Sequence, residues 1–385
     1  MPRLTVARID LAALQANFRA IAAFVGRAAR PPGIIAVVKA NAYGHGAAAV
    51  GPALERAGAR MLACADIDEA VALRHAGVRI PILVFGALGV SDPAGLFEFD
   101  LTPTVSTPGA ARALEAAAAA RGRRLHCHLK IDTGMNRLGF RHDNLRRTLP
   151  ALAASAHLVV DAVYTHFATA EDAAHPFFEV QRRRFEHAIG EVEAAGIPVR
   201  ARHAANSAAL LREPGVWYDW VRPGLLLYGV APPPLAAALP LRPVLSLHSR
   251  VVAVKGVRPG EGIGYGLRSA ADVPRTIAVV PAGYADGLDT RLSGRFAVLV
   301  GGRRAPIVGA VSMDMLTIDV SALPEVRPGD EVVLLGEQGG DRLDVVEMAA
   351  AIGTIPYEIL CRLGARIERV HVAGDPPSAA PPRGD

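Results

Sequence analysis

Between residues 34 and 221, short apolar runs alternate with longer amphipathic ones, and this alternation narrows the possible folds more than any other feature of the chain. The apolar runs fall at 34–38, 61–65, 80–85, 101–105, 125–131, 158–164, 199–203 and 217–221. They are rich in β-branched residues and short, as expected of strands buried on both faces. Helical segments separate them near 66–76, 108–121, 144–154, 176–195 and 207–212, and Asp66 and Glu69 make a capping pair for the first of these. Ahead of them, Asp10 can cap a helix whose Leu14, Phe18, Ile21 and Val25 share one face. Eight strands, each followed by a helix or loop, is the count of a TIM-type (β/α)8 barrel, an α/β fold. A doubly wound open sheet is the competing arrangement, but no Gly-x-Gly-x-x-Gly turn follows the first strand.

The pattern changes after a proline-rich linker around 231–243. Short strands are expected at 244–254, 276–281, 296–300, 315–320 and 331–335, separated by turns such as Arg258-Pro259-Gly260 and Arg327-Pro328-Gly329-Asp330. Helices are expected at 345–352 and 357–363. The expected organisation is a barrel over residues 1–240, a mostly β C-terminal domain over 241–373, and a Pro/Gly/Ser-rich disordered tail from 374 to 385.

Composition removes several function classes. A formal net charge of +5 invites a nucleic-acid reading, but the basic clusters Arg121-Gly122-Arg123-Arg124 and Arg182-Arg183-Arg184 sit in separate helical or turn segments and read as solvated faces. Cys64, Cys127 and Cys361 are too few and too scattered for a disulfide framework or a Cys-x-x-Cys metal site, which fits a reducing, cytoplasmic location. Arg3, Arg8, Asp10 and Arg19 interrupt any signal-peptide core, and prolines break the uncharged run 223–241, so neither export nor membrane insertion is expected. His126 and His128 share a strand face, yet no carboxylate or third ligand is expected near them; they read as structural, and no metal is expected.

The residues with chemistry to offer follow the strands: Lys39 and Tyr43, Lys130 and Arg137, His166, Asn206 and Ser207, Arg222 and Gly224. In a barrel all these strand ends open on one face, where active sites lie. Lys39 ends the run Ile34–Val38 within Val37-Val38-Lys39-Ala40-Asn41-Ala42-Tyr43-Gly44-His45-Gly46. A partly desolvated lysine there can deprotonate near neutrality and form a Schiff base, although on this segment alone it could equally snorkel out to solvent.

Taken together, AVVKANAYGHG, HLKIDTGMNRLGF, THFA, HAANSA, VRPGLLLYG, GIGYG, PAGYADG, GAVSMDM and IPYEILC resemble the alanine racemase family, in that family's order and across nearly the whole chain. The resemblance implies a pyridoxal 5'-phosphate enzyme that interconverts L- and D-alanine, supplying D-alanine for peptidoglycan, with Lys39 carrying the cofactor and acting as base on one face of the substrate. Tyr265, from Gly264-Tyr265-Gly266, would act on the opposite face. Because it lies far from the barrel motifs in sequence, the resemblance implies that it comes from the partner in a homodimer with shared sites. Arg222 would face the pyridine nitrogen, and His203 would link Arg222 to Tyr265. Tyr43, Ser207, Tyr357 and amides near Gly224 would hold the phosphate, with His166 also at the cofactor. Arg137 and the Met313 amide would hold the substrate carboxylate. Lys130 matches a position carbamylated in some members, and Asn206, Tyr284 and Asp314 would support the site. Two other readings are a related decarboxylase or wider-specificity racemase, and a non-catalytic cofactor-binding protein; the β domain with Tyr265 argues against the second of these.

Overall fold

The computed structural model describes residues 4–86, 92–232, 235, 239–267 and 269–372. Residues 233–234 and 236–238 of the expected linker, and the whole expected tail at 374–385, lie outside the described residues. The chain forms two compact units, one from Gln15–Ala42 and Ala47–Leu241, the other from the described parts of Met1–Leu14, Tyr43–Gly46 and Arg242–Asp385.

The first unit is the expected barrel. Its parallel strands are Gly33–Val37, Met61–Cys64, Ile82–Val84, Thr102–Val105, Leu125–Asp132, Leu158–Tyr164, Arg202–His203 and Trp220–Val221. Trp220 pairs with Gly33 at one seam and Thr104 with His128 at another, which closes the ring. Every strand expected from the apolar runs is present, the last two shortened to two residues each. Helices cover the outside. Ile67–His75 starts where the Asp66 carboxylate accepts the Glu69 amide hydrogen at 2.9 Å, and Pro108–Ala120 starts at a Thr107 cap with proline in its first turn. In Phe177–Ala194 the buried residues Phe178, Phe185, Ala188, Ile189 and Val192 form one stripe, and covering a large side chain of this kind contributes about 1.5–3 kcal/mol.

The second unit is mostly β, as expected. A ten-stranded sheet runs in the order Ala253–Val257, Arg275–Val280, Leu316–Asp319, Arg303–Val308, Ala297–Val300, Glu331–Gln338, Leu245–Arg250, Val6–Asp10, Glu368–Val372, with Asp341–Leu343 paired to Glu331–Gln338. Val6–Asp10 is a strand, not only the approach to the helix Leu11–Val25, although Asp10 does cap that helix by accepting the Ala13 amide at 2.8 Å. It pairs antiparallel to Leu245–Arg250 and parallel to Glu368–Val372, so the first and last strands of the described residues are neighbours in this sheet. The helices Val345–Ile352 and Pro356–Cys361 follow, the first between an Asp344 cap and a left-handed Gly353.

Candidate functional site

The barrel brings its chemistry to the C-terminal ends of the strands. Lys39 stands two residues beyond Gly33–Val37 and opens a turn in which Ala40, Asn41, Ala42 and Tyr43 all have φ between 51° and 55°. Left-handed backbone costs about 1–2 kcal/mol per L-residue, so tertiary bonds must hold it. Glu69 supplies one: its carboxylate accepts the Ala40 amide at 2.5 Å and is itself anchored by the Ala65 amide at 2.7 Å. The Asn41 side chain accepts the Ala47 amide at 2.8 Å. Glu69 was expected only to complete a helix cap; the structure makes it the brace of the turn after Lys39.

Lys130, near the end of Leu125–Asp132, is 6% exposed, with its ammonium 5.7 Å from the centre of the Tyr164 ring. Burial, followed by the charges of Arg137, Arg222 and Lys39, pushes its pKa down to about 8, against some help from Asp132. His166, after Leu158–Tyr164, is held neutral, its pKa well below the usual value through burial and the neighbouring cations Arg222, Lys130, Arg137 and Lys39. One histidine thus feels four positive groups, three of them buried or half-buried and Arg137 exposed.

Arg222 is 3% exposed and organises the floor of this cluster. It donates to the carbonyls of Thr165 at 2.8 Å and Ala204 at 3.0 Å, to His203 Nδ1 at 2.8 Å, and toward His166 Nδ1 at 3.3 Å. Burial lowers its pKa to about 10, which leaves it cationic at neutral pH. Because a guanidinium only donates, His203 Nδ1 accepts, and its Nε2–H donates to His128 Nδ1 at 3.0 Å. Both ring nitrogens of His203 are therefore used inside the barrel. This corrects the expectation that His203 runs from Arg222 to Tyr265; His166 is the half-exposed histidine beside Arg222. Tyr164 stacks on His203 with centroids 4.5 Å apart and bonds Thr104 Oγ1 at 3.0 Å. His128 and Tyr164 were not foreseen in this network. The period-2 alternation could have found His128, because an inward Lys130 requires an inward residue two positions earlier.

Loop order comes from a buried glutamine. Gln181, on Phe177–Ala194, donates to Thr133 Oγ1 and to the His166 carbonyl, both at 3.0 Å, and accepts the Ala168 amide at 2.8 Å. It ties together the loops that follow two adjacent strands. Nearby, Asn206 caps Ser207–Arg212 by accepting the Ala209 amide at 3.0 Å, and the Gly224 amide donates to Ser207 Oγ at 2.9 Å.

In the β unit, Tyr43 meets the Tyr357 ring at 5.9 Å between centroids. The chain must turn at Gly44, where φ is +81° and a Cβ would lie 2.1 Å from the Leu360 carbonyl oxygen. Tyr265 stands at the tip of the hairpin formed by Gly262–Ile263 and Ser269–Ala270, between Gly264 and Gly266, both at positive φ, and is 77% exposed. The Tyr284 amide donates to the Ser312 carbonyl at 2.9 Å and the Ala285 amide to the Met313 carbonyl at 3.1 Å, which sets Tyr284 and Met313 on adjoining exposed loops. Asp314 pairs with Arg366 at 2.7 Å, and Arg366 also reaches the buried Asp286. Among the described residues there is no group of three or more His, Cys, Asp or Glu side chains that could hold a metal ion, and no helix is long and apolar enough to cross a membrane.

Comparison with known proteins agrees with this geometry. The family patterns "Alanine racemase, N-terminal domain" and "Alanine racemase, C-terminal domain" match residues 9–232 and 244–371. The chain is 40% identical over 370 residues to an alanine racemase of Symbiobacterium thermophilum, covering 96% of this chain and 97% of that one. A crystal structure of alanine racemase from D-cycloserine-producing Streptomyces lavendulae superposes with a TM-score of 0.92 at 36% identity, over 97% of this chain and 98% of the other. Another, from Bartonella henselae and described with covalently bound pyridoxal phosphate, has a TM-score of 0.84 at 30% identity, over 96% and 100% of the two chains.

Proposed function

Since the chain belongs to the alanine racemase family, whose members are isomerases acting on amino acids, we propose that it racemises alanine with Lys39 and Tyr265 as the two bases. The observation that carries the reading is the gathering of Lys39, Lys130, Arg137 and Arg222 around a neutral His166 at the strand ends. Four cations with little acidic counter-charge suit a ligand bearing a phosphate and an amino acid bearing a carboxylate. Pyridoxal phosphate fits this donor set, and in the family it is the cofactor. When bound, it supplies an electron-withdrawing ring that acidifies the Cα–H bond of the amino acid.

The chain's own residues then divide the remaining work. Lys39 holds the cofactor and takes or returns the Cα proton on one face, while Tyr265 does so on the other; inversion needs a base on each face. Arg222 is a donor fixed by two carbonyls and a histidine, so it suits an unprotonated ring nitrogen. Ser207 and backbone amides near Gly224 are assigned to the phosphate, as are Tyr43 and Tyr357 from their positions in the family motifs. Arg137 and the Met313 amide are assigned to the substrate carboxylate. Lys130, with a pKa near 8, keeps the neutral amine fraction that carbamate formation with carbon dioxide requires, and a carbamate would place an anion among three cations.

The enzyme is proposed to act as a homodimer. Tyr265 is 77% exposed, and Leu267, Tyr284, Met313 and Met315 of the same unit are exposed as well, a concentration of large apolar side chains that suits a partner subunit. Supply of D-alanine for peptidoglycan, from a cytoplasmic location, follows from the same reading. The deciding experiment is exchange at Cα of L-alanine in deuterium oxide. Deuterium incorporation with equal appearance of both enantiomers supports a racemase; carbon dioxide release supports the decarboxylase; binding without exchange supports the cofactor-binding protein.

A further inference from the structure

The barrel has a second charged mouth. At the N-terminal ends of the strands, the face opposite Lys39 and His166, there is a cavity of about 510 Å³, a size ordinary for small-molecule sites. Five arginines line it and only two carboxylates. Asp100 lies where its charge acts on Arg74, whose guanidinium is further engaged by the carbonyls of Phe99, Val78, Ile80 and Asp100. Asp161 is shared by His126 at 2.7 Å and Arg200 at 3.2 Å. Arg79, Arg123 and Arg124 make no ion pair among the described residues; Arg123 donates to the Phe97 carbonyl at 2.9 Å and lies over the Phe97 ring, which leaves the Arg79 and Arg124 guanidinium groups.

The placement follows from the barrel. Arg79 precedes Ile82–Val84, Arg123 and Arg124 precede Leu125–Asp132, and Arg200 precedes Arg202–His203; in the ring, one strand separates each of these from the next. Arginines at the starts of alternate strands line a common mouth, and guanidinium groups without a carboxylate partner repel each other there unless an anion joins them. Guanidinium forks match phosphate oxygens two at a time, which a single carboxylate cannot satisfy across so wide a ring.

We propose that this N-terminal mouth binds a small molecule carrying a diphosphate group. It is separate from the cofactor's phosphate site, being reached from the other end of the barrel, and none of Arg79, Arg123 and Arg124 belongs to the catalytic machinery. The test is isothermal titration of inorganic pyrophosphate, ADP and citrate into holoenzyme whose cofactor has been fixed by borohydride reduction and whose free cofactor has been removed. Pyrophosphate and ADP should bind and citrate should bind much more weakly. Tighter binding of ADP than of pyrophosphate would identify the ligand as a nucleotide. The variant Arg79→Ala/Arg124→Ala, in which both altered side chains are exposed, should keep the wild-type racemisation rate and thermal transition while binding pyrophosphate about tenfold more weakly. No heat with either diphosphate, citrate binding equal to pyrophosphate, or unchanged binding in the double variant would overturn the proposal.

Discussion

The two units carry their parts of the proposed site in opposite ways. In the barrel, Arg222, His203 and Lys130 are 3%, 0% and 6% exposed, each held by neighbours from adjacent strands. In the β unit, Tyr265 and Met313 are 77% and 52% exposed, presented on a hairpin tip and a loop. The first arrangement is preorganised by the unit's own interior, and for Arg222 and His203 hydrogen bonds offset part of the burial cost. The second still has its desolvation ahead of it, which is what a residue working on a partner's site would show. The contrast suggests that barrel substitutions act through the chemistry and its pKa values, and β-unit substitutions through assembly.

The largest effect is expected at Lys39. Lys39→Ala should lose at least about 10⁴-fold in kcat, the upper end for one general base, and borohydride reduction of the wild type followed by peptide mapping should label this lysine. A label elsewhere would dissolve the barrel half of the comparison.

Next comes Tyr265→Ala, expected to cost about 10²–10⁴-fold. Mixing it with Lys39→Ala subunits should restore about a quarter of the wild-type activity, because random pairing of an isologous dimer makes half of the dimers mixed and gives each one intact site. No recovery despite demonstrated subunit exchange would mean that Tyr265 does not serve a partner.

Stability effects are smaller and test how dry the barrel half is. Burial pushes the His128 pKa down to about 4 from an ordinary 6.5, so the unfolded chain takes up its proton first on acidification. The stability this histidine contributes is complete above pH 6.5 and is lost as pH falls through 4, by about 3 kcal/mol. Denaturant titrations of His128→Gln against wild type should show a shallower loss in that window; parallel curves would place the group in water. Lys130 runs the same way at alkaline pH. Its folded pKa near 8 lies below the ordinary 10.5, so stability relative to Lys130→Met should fall as pH drops from 10.5 to 8 and level off below, by up to about 3 kcal/mol in cofactor-free protein without carbon dioxide. A flat difference would show that the ammonium is solvated or already neutralised by an anion.

The barrel was legible because strands buried on both faces must be written as unbroken apolar runs, and all eight can be counted along the chain. The C-terminal face was legible too, since chemistry-bearing residues recur just past those runs. Other parts had no local signature. Val6–Asp10 and Glu368–Val372 pair across nearly the full length of the chain, and Arg303–Val308 carries two arginines and a proline at a place where pattern alone suggests a loop. The motif order implies His203 as a link to Tyr265, yet its two nitrogens are spent on Arg222 and His128.

Sequence alone determined the two-part architecture, the family and the candidate residues, because periodicity and motif order are local properties that survive without coordinates. Only the tertiary structure decided how those residues are held. Ala40, Asn41, Ala42 and Tyr43 favour right-handed or extended backbone by themselves, and the Glu69 carboxylate, reached through a neighbouring strand and helix, helps hold them left-handed. The same closure of the ring gathers four cations about His166 at one end and, among the described residues, leaves Arg79, Arg123 and Arg124 without an ion pair at the other, since distances between strands are set by packing that no run of consecutive residues encodes.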